Sequence, residues 1–130
     1  MIVLDASSAV DLVAQIDPLR TWVADRIVDE PEVHAPELLD AEVLHALRRL
    51  VHRRELTEPA AERAVVDLLD LRITRYPHRP FLERAWALRG TFSPYDGLYI
   101  ALAETLGATL VTTDLRLARV VTSVEVATPL

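Results

Sequence analysis

The sequence predicts an α/β fold: one domain over residues 1–130, with a five-stranded, mostly parallel sheet flanked by helices. Three observations carry that expectation. Short β-branched apolar runs alternate with longer helical patterns along the whole chain, the order that builds a parallel sheet covered on both faces. The opening run is too continuously apolar for a strand with a solvent face. The length of 130 residues suits one domain with a real core, and 51% hydrophobic residues exclude a disordered segment.

The elements follow in order. "IVLD" (Ile2 to Asp5) reads as a buried strand, and "SAVDLVAQI" as a helix opened by the Ser8/Asp11 pair in a Ser-x-x-Asp start. A second helix is expected from about Pro18 to Val28, then a short strand "EVHAP" closed by Pro36. "ELLDAEVLHALRRLVHRREL" is a strong amphipathic helix, with another from about Glu58 to Leu71 and a third strand in "RITRY". "PFLERAWALRG" reads as a helix stopped by Gly90. The helix "SPYDGLYIALAETLGA" has Ser93 as N-cap, Pro94 at its first position and Gly107 as its stop. "TLVT", "DLRLARV" and "VEVAT" give a fourth strand, a short helix and a fifth strand.

Composition removes several chemistries. All 14 basic residues are Arg, for which codon bias in a GC-rich genome is the simpler explanation. Without Lys there is no P-loop, no Schiff-base enzyme and no phosphoaspartyl phosphatase or receiver domain, all of which rely on one. Without Cys there is no disulfide, thiolate metal site or thiol nucleophile. The amino terminus has no basic segment, Asp5 interrupts its apolar run, and nothing approaches the roughly 18 apolar residues of a membrane span. A soluble, cytoplasmic protein without a membrane partner is expected. The net charge of −6 argues mildly against non-specific nucleic-acid binding.

Asp5 and Asp114 both stand at the carboxyl ends of strands, the edge where open α/β sheets bind ligands. Glu42 falls at the rim of the apolar arc of its helix, beside Leu38 and Ala46, and Asp96 lies in the first turn of a very apolar helix. Singly, each has a plain structural reading: Asp5 and Asp114 as helix caps, Asp96 as part of a capping box, Glu42 as a solvated helix edge. Together they come from positions that a parallel topology brings to one edge. Two carboxylates about 4 Å apart repel by roughly 4 kcal/mol at an effective dielectric of 20. A divalent Mg2+ or Mn2+ relieves that repulsion with oxygen ligands and leaves room for a phosphate. Four acids without Lys or Cys favour metal-assisted phosphodiester hydrolysis over covalent chemistry.

With these residues in view, "IVLDASSAV", "APELLDAEVLHALRRL" and "SPYDGLYIALAETLGATLVTTDLRL" resemble the PIN-domain ribonucleases, specifically VapC-type toxins of VapBC toxin–antitoxin modules. The resemblance runs over nearly the whole chain in the family's order, without a diagnostic motif around Arg72 to Arg89. It implies a magnesium-dependent endoribonuclease with catalytic Asp5, Glu42, Asp96 and Asp114, in which Asp5, Asp96 and Asp114 hold the metal. It also implies auxiliary hydroxyls from Ser7 and Thr112, a VapB-type antitoxin and a homodimer.

Weaker signals remain. Arg49 and Arg53 lie on the side of Glu42 and are candidates for contact with RNA or antitoxin, against a solvated helix end. His34, His45, His52 and His78 read as surface or structural residues, and Trp22, Trp86, Phe81 and Phe92 as core or interface. Ser7 and Ser8 lack a nucleophile elbow. The rival readings are a DNA nuclease or phosphatase on the same site, and a degenerate domain that only binds a partner.

Overall fold

The computed structural model describes residues 1–129. Strand β1 (Ile2–Leu4) leads into helices α1 (Ala6–Val13) and α2 (Leu19–Ile27). Strand β2 (Val33–Pro36) is followed by α3 (Leu38–His52) and α4 (Glu58–Asp70). Strand β3 (Thr74–Tyr76) precedes a 3-10 turn at Arg79–Phe81 that runs into α5 (Leu82–Ala87). Helix α6 (Pro94–Leu106), strand β4 (Thr109–Val111), helix α7 (Leu115–Val120) and strand β5 (Val126–Ala127) complete the chain.

The sheet order is β3-β2-β1-β4-β5 and every pairing is parallel. The chain therefore winds outward from β1 to β3, returns, and winds outward again through β4 to β5. The reversal lies between β1 and β4, and an open α/β sheet forms its binding crevice beyond the strand ends at such a point. Asp5 and Asp114 flank it.

Helix α6 holds this edge in place. Its residues from Gly97 to Ala103 are all buried, as expected of a helix that is apolar all round. Ser93 Oγ accepts from the Asp96 N–H, Pro94 takes the first turn, and Gly107 closes the helix at φ 62°. Gly97 permits close approach: a Cβ there would stand 3.2 Å from the Ala85 Cα and carbonyl oxygen. Any side chain at 97 would push α6, and Asp96 with it, away from α5. On the other side of the sheet, Arg75 of β3 grips Asp40 of α3 with two nitrogens, at 2.7 and 3.0 Å.

Several elements differ from their sequence expectation for local reasons. Helix α1 begins at Ala6, because Asp5 is its N-cap and accepts from the Ser8 N–H. Ser8 thus sits inside the first turn, where its hydroxyl donates to the Val111 carbonyl at 3.2 Å. Helix α3 stops at His52, short of Leu56, since Arg54 adopts a left-handed conformation at φ 59°. Arg53 is the C-cap. Helix α5 closes at Ala87 through backbone bonds from the Leu88 N–H, so Gly90 lies beyond it and is not its stop. The third strand starts at Thr74 rather than Arg72. Trp86 is 64% exposed with the Arg89 guanidinium 4.4 Å over its ring, whereas Phe81 is buried and Trp22 and Phe92 pack on the core.

His34 is buried with its Nδ1 2.8 Å from the Tyr76 hydroxyl, and His78 Nε2 accepts from the Leu38 N–H at the start of α3. Both serve the fold. Among the described residues, no helix is long and apolar enough to cross a membrane.

Candidate functional site

The register Leu4↔Val111 sets Asp5 beside Thr112, one step beyond the last strand pair. Asp5 is only 5% exposed. Its Oδ1 accepts from the Ser8 N–H at 3.0 Å, the Ser7 hydroxyl lies 2.9 Å from the same oxygen, and Oδ2 accepts from the Thr112 hydroxyl at 2.5 Å. Burial outweighs these hydrogen bonds and pushes the carboxyl up to about 6. Thr112 in turn accepts from the Asp114 N–H at 3.0 Å, so one fully buried hydroxyl bridges the two strand-end acids. Asp114 Oδ1 caps α7 by accepting from the Arg116 and Leu117 N–H groups. The cap reading and the site reading of Asp5 and Asp114 are therefore compatible: capping is what fixes each carboxylate at the edge.

Glu42 and Asp96 approach from α3 and α6. Glu42 is half-buried, and its Oε1 accepts from the Tyr99 hydroxyl at 2.8 Å. Burial raises its carboxyl, and the charge of Asp96 adds to the rise. Asp96 is raised by burial and then by the charge of Asp114, against an opposing pull from the Ser93 hydroxyl and Arg116. Tyr99, 2% exposed, is raised by burial and by Glu42, with Asp5 and Asp96 contributing. Asp5, Glu42 and Asp96 thus share one electrostatic neighbourhood with Tyr99, and Asp114 joins it through Asp96. They do not touch: among the described residues, no three His, Asp or Glu groups stand as a ready ligand set.

The residues fit a hard divalent cation in donor chemistry and in charge. Every candidate donor is an oxygen, and a cation would offset the burial and repulsion that raise Asp5 and Asp96. Asp5, Asp96 and Asp114 are the residues that could hold it. The Ser7 and Thr112 hydroxyls, the two named as auxiliary, both hydrogen-bond to Asp5.

Beside the acids lies a cleft of about 770 Å³. Ser7, Glu42 and Thr113 form its border with the acidic edge, and His45, Arg49 and Tyr95 line the rest with apolar residues of α1 and α3. Asp5, Asp96 and Asp114 are outside this lining, in keeping with the burial of Asp5. Arg49 lies in the cleft, seven residues along α3 from Glu42 and so on the same face. Arg53 does not line it and is exposed at the helix end.

Sequence reasoning gave no role to Tyr99, Asp11 or Thr113. The signal for Tyr99 was its spacing of three from Asp96, one helical turn. Asp11 was read as part of a helix start, although it stands four residues after Ser7 and shares its face.

The PIN domain family model matches residues 2–122. Ribonuclease VapC12 of Mycobacterium tuberculosis is 45% identical over 119 residues, covering 92% of this chain and 91% of its own. Among solved structures, the sarcin-ricin loop cleaving toxin VapC20 of Mycobacterium tuberculosis superposes with a TM-score of 0.67 at 18% identity, covering 96% of this chain and 99% of that one. A toxin–antitoxin complex from Klebsiella pneumoniae gives a TM-score of 0.67 at 16% identity, covering 100% and 98%. These structural likenesses show a shared fold, while the family match and the sequence relative go further: the chain belongs to the VapC ribonucleases of the PIN domain family.

Proposed function

We propose that this chain is the toxin of a type II toxin–antitoxin pair, a cytoplasmic endoribonuclease that hydrolyses RNA phosphodiester bonds and so inhibits translation and growth. The observation that carries this reading is the gathering of four acids at the switch point between β1 and β4, with Asp5, Glu42 and Asp96 around Tyr99 and Asp114 joined to Asp5 through Thr112. Four unneutralised acids at a binding edge are costly for any purely structural role.

In this mechanism Asp5, Asp96 and Asp114 would hold Mg2+, or Mn2+ in its place. When bound, the ion would supply positive charge against the negative charge of the phosphate. Thr112 and Ser7 fix the Asp5 carboxylate, and Asp114 is fixed by its capping bonds, so neither needs reorganising during the reaction. Glu42, with its carboxylate oriented by Tyr99, is placed to orient the attacking water and take its proton. Arg49 meets the RNA backbone in the cleft, where guanidinium suits bidentate phosphate contact.

The choice of RNA rests on the ribonuclease names of the relatives. A VapB-type antitoxin is the expected partner, in line with the toxin–antitoxin neighbour. The chain acts as a homodimer, whose two subunits frame a groove in which Arg residues offset the acids. The decisive experiment is brief expression of the wild-type chain and of Asp96→Asn, with RNA ends mapped across the transcriptome. Discrete cuts are expected from the wild type alone. Hydrolysis of DNA but not RNA by the purified protein would select the DNA-nuclease reading, and hydrolysis of neither would select the non-catalytic one.

A further inference from the structure

Asp11 has no place in the quartet, yet it is a carboxylate only 8% exposed on the border of the cleft. Its Oδ2 accepts from the Thr113 hydroxyl at 2.6 Å, a contact that joins residues 102 positions apart. The bond is one of a set. Ser7, Ser8 and Asp11 stand at helical spacings of one, three and four, on the face of α1 that meets β4. Ser8 donates to the Val111 carbonyl, Ser7 Oγ accepts from the Thr113 N–H at 3.3 Å, and Asp11 takes the Thr113 hydroxyl. Three side chains of one helix therefore hold Val111 and, by both its N–H and its hydroxyl, Thr113, and the next residue is Asp114.

We infer that Asp11 is a positioning residue, which through Thr113 fixes the β4–α7 turn and so sets the place of Asp114 relative to Asp5. The need for such a clamp follows from the local geometry. Asp5 is held by three groups around its two oxygens, the Ser7 and Thr112 hydroxyls and the Ser8 N–H, whereas the Asp114 carboxylate bonds the first turn of the short helix it caps, so its place depends on the connection before it. Asp114 also faces the like charge of Asp96, which a fixed connection must hold against. Two side chains tie the connection to α1 and its cap, Thr112 through Asp5 and Thr113 through Asp11, and the second is the one nearer Asp114. Asp11 suits the task because it sits inside α1, which is capped at one end by Asp5 itself. The clamp and the acid it serves are thereby referred to the same helix.

This inference rests on the nuclease reading for its kinetic consequence but not for its structural one. The test compares Asp11→Ala, Thr113→Val, the double variant and Asp11→Asn, whose amide oxygen still accepts from Thr113. Asp11→Ala and Thr113→Val are each expected to lower kcat for RNA about tenfold without changing KM. The double variant should fall no further than either, since both break one bond, and Asp11→Asn should recover to within about threefold of the parent. Amide hydrogen exchange should quicken in residues 112–117 in both single variants while the rest of the chain stays protected. Additive losses, a loss confined to KM, or unchanged exchange at 112–117 would each overturn the assignment. If the parent cleaves no RNA, the nuclease reading fails, and the exchange comparison alone then decides the clamp.

Discussion

The Tyr99 hydroxyl donates to Glu42 Oε1 at 2.8 Å, joining α6 to α3 across the centre of the acidic edge. Burial and neighbouring negative charge raise both groups, so the phenol stays protonated and remains a donor at all working pH values. The bond opposes the rise of Glu42, because it stabilises the ionised carboxylate. Tyr99→Phe removes that support and leaves Glu42 beside Asp96 with less to hold its charge. The acid limb of the kcat/KM profile is expected to move to higher pH. The loss of activity, about tenfold, should be greatest on that limb and largely recovered at alkaline pH. A uniform loss at every pH would mean that Tyr99 acts on packing and not on Glu42.

Capping and charge can be separated at Asp5 and Asp114, because Asn caps a helix about as well as Asp. Asp5→Asn and Asp114→Asn should keep the starts of α1 and α7 while removing the charge. Each, with Asp96→Asn, is expected to lose at least about a hundredfold in RNA cleavage, with circular dichroism unchanged. Glu42→Gln should lose less. Asp114→Ala removes the cap as well and should cost about 1 kcal/mol of stability besides. If the Asn variants cleave at the wild-type rate and only Ala variants suffer, the acids are caps and nothing more.

These separations show what was legible in the sequence. The strands, the order of helices and the capping of α6 by Ser93 and Gly107 were readable, because each depends on residues within a few positions of one another. The meeting of Asp5 and Asp114 was readable too, since strand ends in a parallel sheet share an edge. The bonds from Tyr99 to Glu42 and from Thr113 to Asp11 were not, because they span 57 and 102 residues and depend on how α6 and α1 rotate against the sheet. The early end of α3 escaped for the opposite reason. Arg54 enters the left-handed region without Gly or Asn to announce it, and periodicity carried the expected helix past it.

The burial of Asp5 predicts a pH dependence with a definite sign. Its folded value of about 6 lies above the unfolded value near 3.9, so the stability it contributes is present below about pH 4 and is lost as pH rises through 6. Glu42 and Asp96 shift in the same direction. Metal-free protein should therefore melt at lower temperature at pH 8 than at pH 5, with Asp5 alone worth about 1.4 kcal/mol over that window. Asp5→Asn should flatten that slope and be the more stable protein at pH 8. Mn2+ at about a hundred times its dissociation constant should return about 2.7 kcal/mol at pH 8 and far less at pH 5, where protons occupy the ligands. Asp96→Asn should blunt the return. Melting curves in EDTA and in Mn2+ at fixed ionic strength test this, and equal Mn2+ shifts at both pH values would count against a carboxylate metal site.

The two arginines at the end of α3 should now part company. Both were candidates for RNA or antitoxin contact, but Arg49 lines the cleft on the face of Glu42, while Arg53 is the exposed C-cap of the helix. In a chain of net charge −6, a guanidinium in that cleft is a local exception to the repulsion an RNA backbone meets elsewhere. Arg49→Ala is therefore expected to weaken RNA binding and to reduce the slope of log affinity against log salt by about one. Catalytically inactive Asp96→Asn protein serves as the background, so that binding is read without cleavage. Arg53→Ala should leave the slope nearly unchanged. Its expected cost is instead about 0.3–1 kcal/mol of stability, from losing a cation at the negative end of the helix dipole. An unchanged slope in Arg49→Ala, together with lost antitoxin binding, would assign Arg49 to the partner interface. A lowered slope in both variants would mean that the RNA path continues past the cleft along the end of α3.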